Sequence, residues 1–440
     1  MNALSASTHG TRRPIYALLA ANTISQIGNS LTFMAIPWFV LATTGSASRA
    51  GVTVAMGTVP MIIAGVFGGA VVDRLGYRRA SILSDLASGI SVLLIPLLYQ
   101  TIGLAFWQLL VLVFAGSILD APGMLARRSL FPDLVEDAGG QLERANAAYS
   151  VTRRIAGLLS PPLAGILIAT LGASSVLWID AATFAMSAGI VGLAIPSVSH
   201  ERDPSAASGL SRYLREVRDG FEFVRRDRLL FWIVTTFSLG SLLAEPLYAI
   251  VLPVYAREEF GSAVDLGFIF AALGAGSLVG NGVYALLGPR LPRSLFFIGG
   301  FAVRALTFWV LIAMPSWWVV AGAIFVEAVI FEPINPLTMT IEHERVPAGM
   351  RGRVFGVRMA LGFGTLPLGI LVYGYLLEGI GLHDTLIVLA LVNAALPLAM
   401  LAMPALRAMN RRPPGPPIPR GRGARSHKRH AAEPLLPDPQ

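Results

Sequence analysis

The 440-residue chain contains no cysteine, which removes disulfides, iron–sulfur clusters, thiolate zinc sites and cysteine nucleophiles from consideration. Histidine is also scarce. Of His9, His200, His343, His383, His427 and His430, none lies in a long apolar segment and only the last two are neighbours. No metal site and no cofactor is expected, and no glycine-rich G-x-x-x-x-G-K-[ST] loop is present to bind ATP. The most telling scarcity is charge: 14% of residues, where soluble domains carry about 25%. With 54% hydrophobic residues there is too little polar surface to cover the apolar side chains, so a bilayer must solvate most of the chain. The net charge of +8 does not indicate nucleic acid, because residues 407–440 alone supply +6 of it.

Apolar stretches of bilayer-spanning length follow one another along the chain. The first follows Arg12 and Arg13 and runs to about Leu41; five more fall near 50–72, 80–99, 104–125, 150–171 and 174–196. A second set of six is expected near 230–256, 265–288, 294–314, 317–339, 355–377 and 384–405. Twelve spans with the N-terminus inside leave all but three of the 34 basic residues on the inner side, as the positive-inside rule requires. The exceptions are Arg49 and Arg257 in outward loops and Arg304 in the middle of a span; Arg153, Arg154 and Arg358 fall within spans at their inner ends. Trp38, Trp107, Trp178, Trp317 and Trp318 fall near outer helix ends, where an amphipathic ring favours the interface.

The chain also repeats itself. A constant offset of 216 maps Pro37 to Pro253, Gly45-Ser46-Ala47 to Gly261-Ser262-Ala263, Gly51 to Gly267, Ala55 to Ala271 and Arg74-Leu75 to Arg290-Leu291. Two six-helix halves related in this way place a substrate pathway at their interface. Between the second and third spans, Gly69-Ala70-Val71-Val72-Asp73-Arg74-Leu75-Gly76-Tyr77-Arg78-Arg79 resembles the G-x-x-x-D-R-x-G-R-[RK] signature of the major facilitator superfamily, with Tyr77 where a basic residue is usual. Gly157-Leu158-Leu159-Ser160-Pro161-Pro162-Leu163-Ala164-Gly165 is similar to the fifth-helix motif of the superfamily's antiporters, although small residues and prolines also serve helix packing. Pro132-Asp133-Leu134-Val135, Ile179-Asp180-Ala181 and Arg351-Gly352-Arg353-Val354 resemble the branch of macrolide-efflux proteins and the enterobactin exporter. The resemblance covers about residues 12–405. It implies an all-α membrane protein of two pseudo-symmetric six-helix bundles that moves small molecules by alternating access.

Ionisable residues inside a membrane are costly, so each is a functional candidate. Glu245 and Glu327, in the seventh and tenth spans, are the candidates for proton coupling, Glu327 having the alternative of a structural pair with Arg304. Asp120 and Glu332 end equivalent helices and are expected to pair with the loop arginines Arg74 and Arg290 as gate contacts, together with Gly69, Asp73, Gly76, Arg78 and Arg79, a role in carrying protons being the alternative for both acids. Asp85 is expected beside Arg78 and Arg79, and Asp180 is expected to pair locally. In the first span Asn22, Gln26 and Asn29 recur on one helical face, with Phe33 further along. They are read either as a substrate wall or as interhelical hydrogen bonds, and under the 216 offset Asn29 corresponds to Glu245. Gly157, Pro161 and Gly165 complete the candidate set.

The expected organisation is an N-terminal half at 1–198, a cytoplasmic linker at 199–229, a C-terminal half at 230–405 and a disordered basic tail at 406–440. The linker's apolar positions Leu210, Tyr213, Leu214, Val217, Phe221 and Val224 recur at helical spacing, suiting an amphipathic helix on the inner leaflet. The expected protein is a monomeric bacterial inner-membrane exporter with both termini cytoplasmic, contacting lipid, protons and an amphipathic small-molecule substrate, and no nucleic acid. A nutrient importer of the same fold and a membrane-embedded enzyme are the competing readings; the enzyme would need a convergent catalytic set that the spans do not show.

Overall fold

A computed structural model describes residues 12–196 and 210–410. Most of the C-terminal tail and the first part of the linker therefore lie outside the described residues. Among those described the secondary structure is helical throughout. The N-terminal half comprises α1 (Arg13–Thr44), α2 (Ala47–Leu75), α3 (Tyr77–Thr101), α4 (Phe106–Asp137), α5 (Leu142–Leu171) and α6 (Ala173–Ala194). A linker helix, α7 (Leu210–Arg226), precedes α8 (Arg228–Phe260), α9 (Ala263–Arg290), α10 (Arg293–Ile312) and α11 (Trp317–Arg345). The last long helical stretch turns at Gly381, whose φ of 80° is incompatible with a continuing helix, into α12 (351–380) and α13 (382–401). Among the described residues ten stretches are long and apolar enough to cross a membrane; dividing the last one at Gly381 and adding α2 gives twelve spans.

The repeat is visible in individual hydrogen bonds. Ser46 Oγ accepts from the Arg49 amide at 3.2 Å to cap α2, and its counterpart Ser262 accepts from Asp265 at 3.2 Å to cap α9. The two bundles meet along α2 with α12 and along α5 with α9. Both seams close on glycine near the α1–α2 end of the molecule. A β-carbon on Gly51 would lie 3.1 Å from the Gly374 Cα, and one on Gly267 would lie 2.6 Å from the Pro161 carbonyl oxygen. At the same end Glu378 of α12 reaches across the seam and accepts from Ser46 Oγ at 2.8 Å and from the Ser48 amide at 3.1 Å.

Three expectations need correction. Helix α4 continues through Pro132 to Asp137, so Arg127 is not in a loop but buried in the bundle. Arg358 is likewise buried in α12, with its Nε 3.0 Å from Glu342, so Arg304 is not alone among arginines inside the bundles. The linker helix forms, but Val224 is buried against Val354 and Val357 of α12, and Gly220 passes close to the Arg353 carbonyl. Part of its apolar face is therefore occupied by protein.

Candidate functional site

Helix α8 is not continuous. Pro246 has no amide hydrogen and disfavours a helical conformation at the residue before it, and the helix opens into a turn at Ala244 and Glu245. The Leu243 carbonyl at this break accepts from the Asn393 amide at 3.2 Å and from the Tyr373 hydroxyl. Beyond the break the backbone is π-helical over Leu247–Val251. Helix α11 breaks in the same way at Glu332-Pro333. Each break thus presents a glutamate to the space between the bundles.

That space is a cavity of about 630 Å³. Gln26, Asn29, Ser30, Phe33 and Met34 of α1 line one side; Tyr248, Phe270, Leu273 and Ser277 line the other, with Glu245, Arg304 and Glu332 supplying charge. Towards the α2–α3 end it adjoins a second hollow of about 370 Å³ walled by Arg153, Arg154, Asn281, Glu332 and Asn335. Towards the α1–α2 end Phe33 and Phe270 meet edge to face across the two halves, with ring centroids 6.1 Å apart. The cavity therefore leads to the α2–α3 end, while the opposite end is packed shut by the seam glycines.

Arg304 organises the charge. Its Nη2 lies 2.9 Å from Glu245 Oε1 and its Nε 3.3 Å from Glu327 Oε1, so one guanidinium serves two carboxylates. Tyr248 donates its hydroxyl hydrogen to the same Glu327 oxygen at 2.7 Å. The guanidinium carbon sits 4.1 Å from the Phe331 ring centroid, a cation–π contact that partly replaces lost water. The carboxylates differ in access: Glu327 is 1% exposed and Glu245 42%. Fully ionised, the cluster carries one net negative charge.

The N-terminal half holds a second buried cluster. Arg127 Nη1 lies 2.6 Å from Asp85 Oδ1, and Ser187 donates to the other Asp85 oxygen at 2.7 Å. Asp120 accepts from Asn29 Nδ2 at 3.1 Å and lies 3.9 Å from Arg127. These contacts replace the pairings expected from the loops. Arg74 and Asp73 are exposed at the end of α2, Gly76 turns the chain with φ 77°, Arg79 is exposed, and Arg78 donates to the Gly192 carbonyl of α6. Gly69 falls within α2. Arg290 folds back on the Leu286 carbonyl at 3.1 Å, while Glu332 faces the cavity opposite Arg153. Asp180 is buried with Thr183 of its own helix and Thr32 of α1 as hydrogen-bond donors, so only one of the two contacts is local.

Of the α1 amides, Gln26 and Asn29 reach the cavity wall, whereas Asn22 is buried in the packing of α1. Gly157 and Pro161 line the cavity, and Gly165 lies on the α5–α9 seam, where a β-carbon would meet the Ala263 carbonyl at 2.4 Å. Tyr248, Phe270 and Arg153 are among the cavity residues that the sequence pattern does not single out. The first two are indistinguishable from ordinary packing aromatics until the helix rotation is known.

Twelve spans in two repeats, closed at one end around a cavity that leads to the other, define a membrane transporter of the major facilitator fold. The chain matches the model of the transmembrane secretion effector family over residues 7–418 and belongs to that family. It is 30% identical over 408 residues to the multidrug efflux pump Tap of Mycobacterium tuberculosis, covering 92% of this chain and 97% of that protein. It is 23% identical over 376 residues to macrolide efflux protein A of Streptococcus pyogenes, covering 84% and 90%. Among solved structures, the nucleoside transporter NupG shares the fold with a TM-score of 0.70 at 13% identity, covering 88% of this chain and 98% of that one. The D-xylose-proton symporter does so with 0.63 at 14%, covering 88% and 96%.

Proposed function

We propose that the protein exports amphipathic small organic molecules across a bacterial cytoplasmic membrane in exchange for protons, as a monomer with both termini in the cytoplasm. The observation that carries this reading is the Glu245–Arg304–Glu327 cluster on the wall of a largely apolar cavity. Net charge held away from water is costly, and the cluster has one carboxylate more than it has guanidiniums. A proton on either glutamate removes that imbalance. So does a cationic group of a substrate seated beside Glu245, with Phe33, Phe270 and Tyr248 covering its apolar part. Proton and cation are therefore alternatives at one site, which is the requirement for exchange.

The concentration of basic residues at the α2–α3 end supports a cytoplasmic position for it; on this reading the open mouth faces inward and the outer side is closed. Arg153 and Glu332, on different halves at the open mouth, are placed to meet when that mouth closes. The loop motif of Gly69, Asp73, Arg74, Gly76, Arg78 and Arg79, at the α2–α3 turn on the same end, serves the same rocking movement. Residues 1–198 and 230–405 are the moving halves, and 199–229 ties them together on the inner leaflet.

The test uses inside-out vesicles from cells producing the protein. Energised vesicles should accumulate a fluorescent amphipathic cation such as ethidium and release protons as they do so, and an uncoupler should abolish accumulation. Accumulation unaffected by the uncoupler would reject proton exchange, and efflux from the vesicles would reject the direction.

A further inference from the structure

The N-terminal half repeats the charge arithmetic of the C-terminal half without repeating its positions. Two carboxylates, Asp85 and Asp120, share one guanidinium, Arg127, and all three are buried or nearly so, with Arg127 at 2%, Asp85 at 0% and Asp120 at 16% exposure. The sharing is unequal. Arg127 directs Nη1 to Asp85 at 2.6 Å and Nη2 to Ser25 Oγ at 3.2 Å, and Ser187 gives Asp85 a further hydrogen bond. Asp120 receives one amide hydrogen from Asn29 and a guanidinium nitrogen at 3.9 Å, and its Oδ1 is buried without a hydrogen-bond partner. Asp85 is thus fully compensated, while Asp120 is the surplus carboxylate of this trio.

We propose that Asp120 is a second proton-binding site, loaded and unloaded through Asn29. A proton on the unpartnered Oδ1 would bring the trio from one net negative charge to neutrality, removing the cost of an uncompensated charge in the bundle. The groups acting on Asp120 among the described residues are Arg127 on its own helix, Asp85 from α3, Asn29 from α1 and, further off, Asp180 from α6. Asn29 is the link to transport because it lines the substrate cavity while its amide holds Asp120. A cationic ligand seated against Asn29 favours the ionised carboxylate behind that amide and expels the proton; a proton on Asp120 conversely removes the negative charge that draws the cation, so the two are alternatives here as at Glu245. The repeat gives a reason for the placement: under the 216 offset Asn29 stands where the other half has Glu245, so this half carries its cavity-side carboxylate on α4 instead.

The inference rests on the proton-exchange reading, and its test separates the two. Difference infrared spectroscopy of the purified full-length protein between pH 8 and pH 5 reads the carbonyl stretch of each newly protonated carboxyl. The expected result is that Asp120→Asn deletes one carboxyl band, Glu245→Gln or Glu327→Gln deletes another, and Asp120→Glu shifts the first band without deleting it. An Asp120→Asn spectrum identical to wild type overturns the second site. Unchanged Glu245→Gln and Glu327→Gln spectra together with a lost Asp120 band overturn the C-terminal site instead. If Asp120→Asn fails to fold, an unshifted spectrum for Asp120→Glu overturns the proposal equally. In proteoliposomes exporting ethidium, wild type should move two protons per cycle and Asp120→Asn one.

Discussion

Each half sets two carboxylates around one guanidinium, but the two halves give water different access to them. In the N-terminal half Arg127, Asp85 and Asp120 lie on uninterrupted helices, and the acid nearest the cavity is reached only past Asn29. In the C-terminal half Glu245 stands at a helix break made by Pro246, where it is 42% exposed to the cavity while its partner Glu327 is closed off behind Arg304 and Tyr248. A repeat can therefore conserve a backbone and still distribute its chemistry unevenly, because one proline decides whether a carboxylate meets water. On the proposed mechanism the half with the break faces substrate directly and the other half responds through an amide.

The largest expected effect breaks both clusters in parallel. Replacing Arg127 or Arg304 by Met leaves two acids around an uncharged side chain, and each change should cost about 3–5 kcal/mol in stability. Thermal unfolding in detergent should show the greater loss for Arg127→Met, since Asp85 and Asp120 have less water to fall back on. Equal losses would mean that access does not distinguish the clusters. Next in size, Pro246→Ala should let α8 run through the break and withdraw Glu245 from the cavity. Ethidium export should fall about tenfold, equivalent to 1.4 kcal/mol on the barrier, with no loss of melting temperature.

Smaller effects sharpen the comparison. Tyr248→Phe removes one hydrogen bond from Glu327, worth about 1 kcal/mol, and should change the proton dependence of export more than its maximal rate. Glu378→Ala removes an exposed contact across the outer seam and should shift the gate by about 0.5 kcal/mol, of the order of a surface ion pair. Because the chain lacks cysteine, a single Phe33→Cys reports this cleanly: labelling from the outer side should rise about twofold in the Glu378→Ala background.

Spans, repeat and the Glu245, Glu327 and Arg304 candidates were legible because apolar length, a fixed offset and charge in an apolar run are all one-dimensional signals. The partners were less so. Asp120 was assigned to Arg74 and Glu332 to Arg290 from neighbourhood at the helix ends, but α4 runs on to Asp137 and its rotation brings Arg127 inward, while Arg290 turns back on its own helix. The Glu245–Arg304 contact spans 59 residues and the Ser46–Glu378 contact 332, separations at which sequence pattern carries no pairing information. The Glu-Pro dipeptides at 245–246 and 332–333 were a readable sign of the two breaks, since proline in a span frees backbone groups at the residue it follows.

The central claim, that the Glu245–Arg304–Glu327 cluster couples export to proton entry, is tested most directly in proteoliposomes containing the Glu245→Gln protein. Under an imposed proton gradient this variant should fail to concentrate ethidium while still equilibrating it down its own gradient, more slowly than wild type because the cation has lost its carboxylate partner. Uphill accumulation equal to wild type would contradict the account.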